Sequence, residues 1–170
     1  MSYSDYRKAV DLIERNKHIE DIKLFPQTDT DIQKAESILS IKFPRSYKDF
    51  LSKYGIFISD ITYIYGFKNI KFDSYVHSNI ISRALDERKI NEDPCFPLSF
   101  VPIYDLGNGE LFCLDTAKLN SEGECPMVCW SFGNIDSIDD DFGKDFGEFF
   151  FNMVSRGLKD LEKSGKKIKW

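Results

Sequence analysis

Residues 43–55, FPRSYKDFLSKYG, restrict the folding of this chain more than any other stretch. Tyr47, Phe50, Leu51 and Tyr54 recur at i, i+3, i+4 and i+7, which is one face of a helix. Pro44 suits the first helical position, where its missing N–H leaves nothing unsatisfied. Gly55 suits the position just past the end, where a left-handed backbone carries no Cβ penalty. Lys48 and Lys53 fall on the exposed side. With Phe43 included, the aromatic load is high for so short a helix, so the sequence predicts a core built around rings.

The flanking segments read less sharply. Tyr6, Val10 and Ile13 lie at helical spacing and predict a helix over residues 3–17. In TDTDIQKAESIL, Thr30 and Gln33 form a capping box for a second helix, whose buried stripe is Ile32, Ala35, Ile38 and Leu39. After Gly55 the period changes: ISDITYIYGF alternates and predicts a strand around residues 60–66, stopped by Gly66. Residues 70–90 are ambiguous, with helical spacing at Ile80, Ala84 and Leu85. NEDPCFPLS is a loop, because Pro94 and Pro97 forbid regular pairing.

A meander follows, with SFVPIYDL and ELFCLDT as strands joined by the GNG turn and CPMVCWSF as a third strand. Phe112 and Leu114 face one way, Leu111 and Cys113 the other. Apolar on both faces, this hairpin is expected to be central. The chain closes with a helix that Asp139, Asp140 or Asp141 can cap, striped by Phe142, Phe146, Phe149, Phe150 and Met153, with Gly157 as a stop. No repeat or long linker appears. The sequence therefore predicts one α+β domain over residues 1–170, with an antiparallel sheet between N-terminal helices and a C-terminal helix. Its core is expected over about residues 28–155, followed by a basic tail over 159–170.

The net charge of −5 argues against a basic nucleic-acid-binding face. Residues 134–148 hold six acids (Asp136, Asp139, Asp140, Asp141, Asp145 and Glu148) against one base, Lys144, a net of −5. The remaining 22 acids and 22 bases cancel, so one acidic knot carries the whole imbalance. Two readings of it stand side by side: a solvated helix start favoured by the helix dipole, or a carboxylate cluster that steers a basic partner. No apolar run is long enough to span a bilayer, and the N-terminal stretch lacks the apolar centre of a secretory signal, so a cytoplasmic protein without membrane contact is expected.

Catalytic chemistry finds little support. Cys95, Cys113, Cys125 and Cys129 match no zinc spacing and sit among apolar residues, so free buried thiols are expected, with no metal and no cofactor. The two histidines, His18 and His77, adjoin no nucleophile motif; a Cys113–His77 pair would have to be built by the fold. GNG precedes a strand, not the helix a phosphate loop feeds. Paired carboxylates can hold a divalent ion, but the spacing here is not that of a calcium loop. Among Tyr63, Tyr65, Tyr75, Tyr104 and Trp130, most are expected in the core; any left exposed would suit a protein partner.

Taken in order, three blocks carry a resemblance. The first is Phe43, Pro44, Ser46, Tyr47, Phe50, Leu51, Tyr54 and Gly55, with Ile64-Tyr65-Gly66 downstream. The second runs through Val101-Pro102-Ile103, Gly107-Asn108-Gly109-Glu110, Cys113-Leu114-Asp115, Gly123-Glu124-Cys125-Pro126 and Val128-Cys129-Trp130. The third is the ending Asp141-Phe142 with Phe146-Gly147-Glu148-Phe149-Phe150. Over roughly residues 28–155 the chain resembles the SUKH superfamily, which includes bacterial toxin-immunity proteins and a fungal cell-wall regulator. Phe43 stands where leucine is usual, Tyr54 is followed by Gly55 without the usual Asn-Gly-Gly, and Glu110 stands where aspartate is usual.

The resemblance implies an α+β fold, no enzyme activity, and an immunity protein that binds and blocks a toxin domain, often a nuclease. A nuclease is basic where it meets nucleic acid, so Asp136, Asp139, Asp140 and Asp141, or the hairpin acids Asp105, Glu110 and Asp115, are the expected contacts. The alternative is a regulatory interaction module without a toxin.

Overall fold

The computed structural model describes residues 2–19, 23–68, 79–90, 95–132 and 134–170. His77, Tyr75 and Pro94 lie outside the described residues, as does all of the ambiguous stretch before residue 79. Helix α1 spans Ser2–Asn16, α2 Asp29–Leu39 and α3 Arg45–Lys53. The cap of α2 lies two residues earlier than the Thr30 box. Thr28, in extended conformation, accepts from the Asp31 amide, because the repeated Thr-Asp pattern offers the same chemistry one step upstream.

Helix α3 begins one residue later than expected. Pro44 is itself the N-cap, with ψ 155°, and has no side chain able to cap. The missing acceptor comes from far along the chain. The buried Glu124 carboxylate takes the Ser46 amide at 3.0 Å and the Ser46 hydroxyl at 2.6 Å, while the Arg45 amide donates to the Gly123 carbonyl at 2.8 Å.

At its other end Gly55 has φ 68°, as the left-handed stop requires. A Cβ there would collide with the Phe25 carbonyl, and one on Gly66 would collide with the Gly55 carbonyl. Three backbone segments thus stack without side chains between them. Hydrogen bonds from the Phe25 amide to Tyr54 (2.9 Å) and from the Phe67 amide to Gly55 (3.1 Å) fasten them together.

The strand expected over 60–66 is a tight hairpin instead, β1 (Phe57–Ile58) against β2 (Tyr63–Ile64). Ser59 folds it: its hydroxyl accepts from the Ile61 amide and its own amide donates to the Thr62 carbonyl. Helix α4 (Ile80–Ile90) settles the ambiguous segment as helical from residue 80, with Asn79 capping through its side chain to the Ile81 amide.

Strands β3 (Phe100–Asp105), β4 (Glu110–Asp115), β5 (Met127–Ser131) and β6 (Asn134–Ser137) form an antiparallel sheet in sequence order. Strand β4 is interior, as its apolar faces require, but β3 stands at the end of the sheet. A bulge between Pro102 and Tyr104 and one bond from the Tyr65 amide to the Ile103 carbonyl (2.8 Å) cover its outer side. Strand β6 has no counterpart in the sequence reading. Helix α5 (Phe146–Lys163) is capped by Asp145, whose side chain accepts from the Glu148 amide at 3.0 Å, and not by Asp139, Asp140 or Asp141. It does not stop at Gly157; that glycine is buried in the helix where Ile61 lies against it.

The alternation in β4 sorts two clusters. Phe112 and Leu114 join the main core, which draws on all five helices; Leu111 and Cys113 join Phe96, Phe100 and Trp130 on the opposite face. At the centre of the main core, α3 and α5 interlock rings. Phe146 stands edge-on to Tyr47 (4.8 Å) and Phe50 (5.2 Å), and Phe150 edge-on to Phe50 (5.4 Å) and Phe57 (5.5 Å). Tyr6, Ala9 and Ile13 of α1 and Leu158 of α5 belong to the same cluster. The basic tail returns to α1, where the buried Asn16 side chain accepts from the Lys169 amide (2.8 Å) and donates to the Lys169 carbonyl (3.0 Å).

Candidate partner-binding surface

The hairpin acids are engaged locally. Asp115 is 4% exposed and holds Lys118 at 2.9 Å and the Ser99 hydroxyl at 3.3 Å. Asp105, half-buried, pairs with Arg83 at 3.2 Å and accepts from the Gly107 amide at 2.7 Å. Glu110 accepts from the Asn108 side chain at 2.9 Å. By contrast Asp136, Asp139, Asp140 and Asp141 are all exposed. Asp140 lies 3.6 Å from Lys144 and Asp141 3.7 Å from Arg156, solvent-facing pairs that do little to quench the local charge. With Asp145 serving as the cap, helix capping does not account for Asp139, Asp140 and Asp141.

Register brings one hairpin acid to the knot. Glu110 pairs with Ser131, Phe112 with Cys129, and Cys129 with Asp136, so Glu110 and Asp136 share a sheet face on either side of Cys129. Burial pushes the Cys129 thiol up, and the charges of Glu110 and Asp136 push it further. Two exposed apolar side chains stand in the same stretch, with Ile135, opposite Trp130, on the sheet face away from Glu110 and Asp136. Phe132 is 77% exposed, at φ 41°, with its ring over Gly109; Ile135 is 53% exposed. Phe132 falls within the third strand of the sequence reading, although the Gly133-Asn134 pair that follows it is a turn signal. Among the described residues of that set Tyr63 is exposed, whereas Tyr65 and Trp130 are buried and Tyr104 is half-buried.

The remaining chemistry is structural. All four cysteines are free; Cys113 and Cys125 are buried, Cys129 is half-buried, and Cys95 is exposed, against the expectation of four buried thiols. Burial pushes the Cys113 thiol well up and that of Cys125 up to about 12, the reverse of what a nucleophile requires. His18 is exposed just after α1, and His77 lies outside the described residues. Among the described residues no three His, Cys, Asp or Glu side chains are grouped to hold a metal ion. A groove of about 750 Å³ runs between α2 and the 98–119 region, but its Arg88 is committed to the Leu39 and Leu98 carbonyls. Among the described residues no helix is long and apolar enough to cross a membrane.

These features converge with a comparison to protein families. The family model SUKH_5, described as SMI1-KNR4 cell-wall, matches residues 7–154. The chain belongs to the SUKH_5 family. The match takes in α1 from its second turn, the Gly55–Gly66 stack, the Ser46–Glu124 cap, the whole sheet and the first half of α5. As a SUKH_5 member the chain falls among proteins whose role is toxin immunity or a SMI1-KNR4-like protein interaction, which directs attention to its surface.

Proposed function

We propose that this SUKH_5 protein is a non-enzymatic, cytoplasmic immunity protein that binds and neutralises a cognate toxin domain, a nuclease being the class its charge fits best. The observation that carries this reading is the exposed acidic surface formed by Asp136, Asp139, Asp140 and Asp141, which capping does not consume. Glu110 borders it on the sheet face. A nuclease presents Lys and Arg where it meets phosphates, and a carboxylate surface mimics that charge and accelerates encounter. Asp105 and Asp115, held by Arg83 and Lys118, shape the neighbouring hairpin and contribute less to contact.

Co-expression with the toxin domain encoded beside this gene tests the reading. Wild-type protein should restore growth. The triple change of Asp139, Asp140 and Asp141 to Asn should weaken binding and flatten its salt dependence. If affinity and salt dependence are unchanged, the acids are not the contact. The SMI1-KNR4 cell-wall description of the family favours a second reading, a regulatory interaction module. Capture of a cell-wall or signalling partner, with no rescue of any toxin, would favour it.

A further inference from the structure

The two ends of the four-stranded sheet are treated differently. The β3 end carries Pro102, a bulge and a bond from Tyr65, the ordinary means of closing an edge. Among the described residues the β6 end has none of these. Its four residues, Asn134–Ser137, are all exposed, and they include neither Pro nor Lys.

Register shows which backbone groups face outward. Strand β4 occupies one side of β5, and the Met127 amide donates to the Lys144 carbonyl on the other side, at 2.9 Å. Met127, Cys129 and Ser131 therefore turn their N–H and C=O groups toward β6, where Asp136 and Asn134 are their partners. By alternation Ile135 and Ser137 present theirs away from the sheet. Among the described residues no other backbone group bonds to them.

We propose that β6 is a docking edge that receives an extended, basic segment of a protein partner as an added strand. The inference rests on the partner-binding reading above and specifies its geometry. Main-chain bonds would form to Ile135 and Ser137, the means by which strand addition gains affinity. Phe132 and Ile135 supply apolar contact at one end, and Asp136, Asp139, Asp140 and Asp141 supply the charge that selects Lys or Arg. A second copy of this chain is disfavoured as the occupant, because pairing two β6 edges sets like charges against each other. The acids alone would not define a site; the open backbone edge does.

The test has two arms. A fluorescein-labelled peptide of alternating lysine and valine is titrated against wild-type protein, beside the same peptide N-methylated at alternate amides. Saturable binding that falls roughly tenfold or more on N-methylation is expected, since the lost main-chain bonds contribute at about that level. Equal binding of both peptides, or no binding of either, overturns the proposal. In the second arm Ile135→Pro removes one outward N–H without touching the β5 pairing, and circular dichroism checks that it folds. Wild-type protection from the neighbouring toxin with loss of protection by folded I135P supports the edge. Equal protection by both refutes the edge while leaving immunity intact. If wild type gives no protection the immunity reading fails, and the peptide arm decides the edge by itself.

Discussion

Ser46 and Glu124, 78 residues apart in the chain, meet through two hydrogen bonds at the first turn of α3. The carboxylate does the work an N-cap side chain would do, at a helix whose own cap residue is Pro44. Glu124→Ala is expected to cost about 1–2 kcal/mol in urea denaturation, as loss of a cap does. Burial pushes the Glu124 carboxyl up, against the pull of both Ser46 bonds. A raised carboxyl contributes stability that is complete below the ordinary carboxylate range and is lost as pH rises through the raised value. The stability of wild type relative to Glu124→Gln should therefore increase on going from about pH 7 to about pH 4. A constant difference would show that Glu124 titrates normally.

Glu36 should behave in the opposite sense. Burial pushes its carboxyl up, but bonds from Lys48 (3.0 Å), the Phe43 amide (2.9 Å) and Lys42 (3.1 Å) outweigh burial and hold it below the ordinary range. Its contribution is present above that range and disappears as pH falls through the lowered value. The advantage of wild type over Glu36→Gln should shrink between about pH 6 and about pH 3, measured by the same unfolding curves.

Substitution of the stacked glycines separates crowding from conformation. At Gly66 an added Cβ meets the Gly55 carbonyl, which is backbone and cannot swing aside. Gly66→Ala should cost about 3 kcal/mol or more by thermal or urea unfolding. Gly107 has φ 81° but open space around it, so Gly107→Ala should lose only about 1–2 kcal/mol from the left-handed backbone. Similar losses at both positions would mean the stack yields.

Gly157 offers a test with an unusual sign. Alanine in place of glycine inside a helix ordinarily gains about 1 kcal/mol. Here the new Cβ would press on the Ile61 backbone, so Gly157→Ala should instead destabilise by about 1–3 kcal/mol. A rise in melting temperature would show that the 59–62 turn can retreat.

Asn16→Ala should free the tail by removing both side-chain bonds to Lys169. Trypsin cleavage at Lys166, Lys167 and Lys169 is expected to accelerate, with the unfolding midpoint of the rest little changed. Unaltered cleavage would mean that the Arg15 and Glu162 contacts to Trp170 hold the tail without Asn16.

Local punctuation decided what could be read from the sequence. Helix α3 was legible because its ring spacing, Pro44 and Gly55 all agree, and β4 because alternating residues had to serve two clusters. Helix caps were harder. Thr28 and Thr30 offer the same chemistry, as do Asp139 through Asp145, and only tertiary position selects among them. Strand β6 was invisible for a physical reason: its residues bury nothing, so neither periodicity nor β-branched enrichment marks it. Gly157 looked like a stop because close approach to Ile61 leaves no trace in the local sequence. The Glu124 cap was equally hidden, since its partner is 78 residues away.

Strand β6 contributes backbone pairing to β5 and no side chain to either cluster, and in the turn after it only Ile138 is buried in the main core. Phe132 and residues 134–141, apart from Ile138, can therefore be rewritten without disturbing the glycine stack, the Glu124 cap or the interlocked rings. Duplicated copies of such a gene could diverge at these positions and acquire new specificities while keeping one unfolding midpoint. Grafting the segment between relatives should transfer target choice and leave thermal stability where it was.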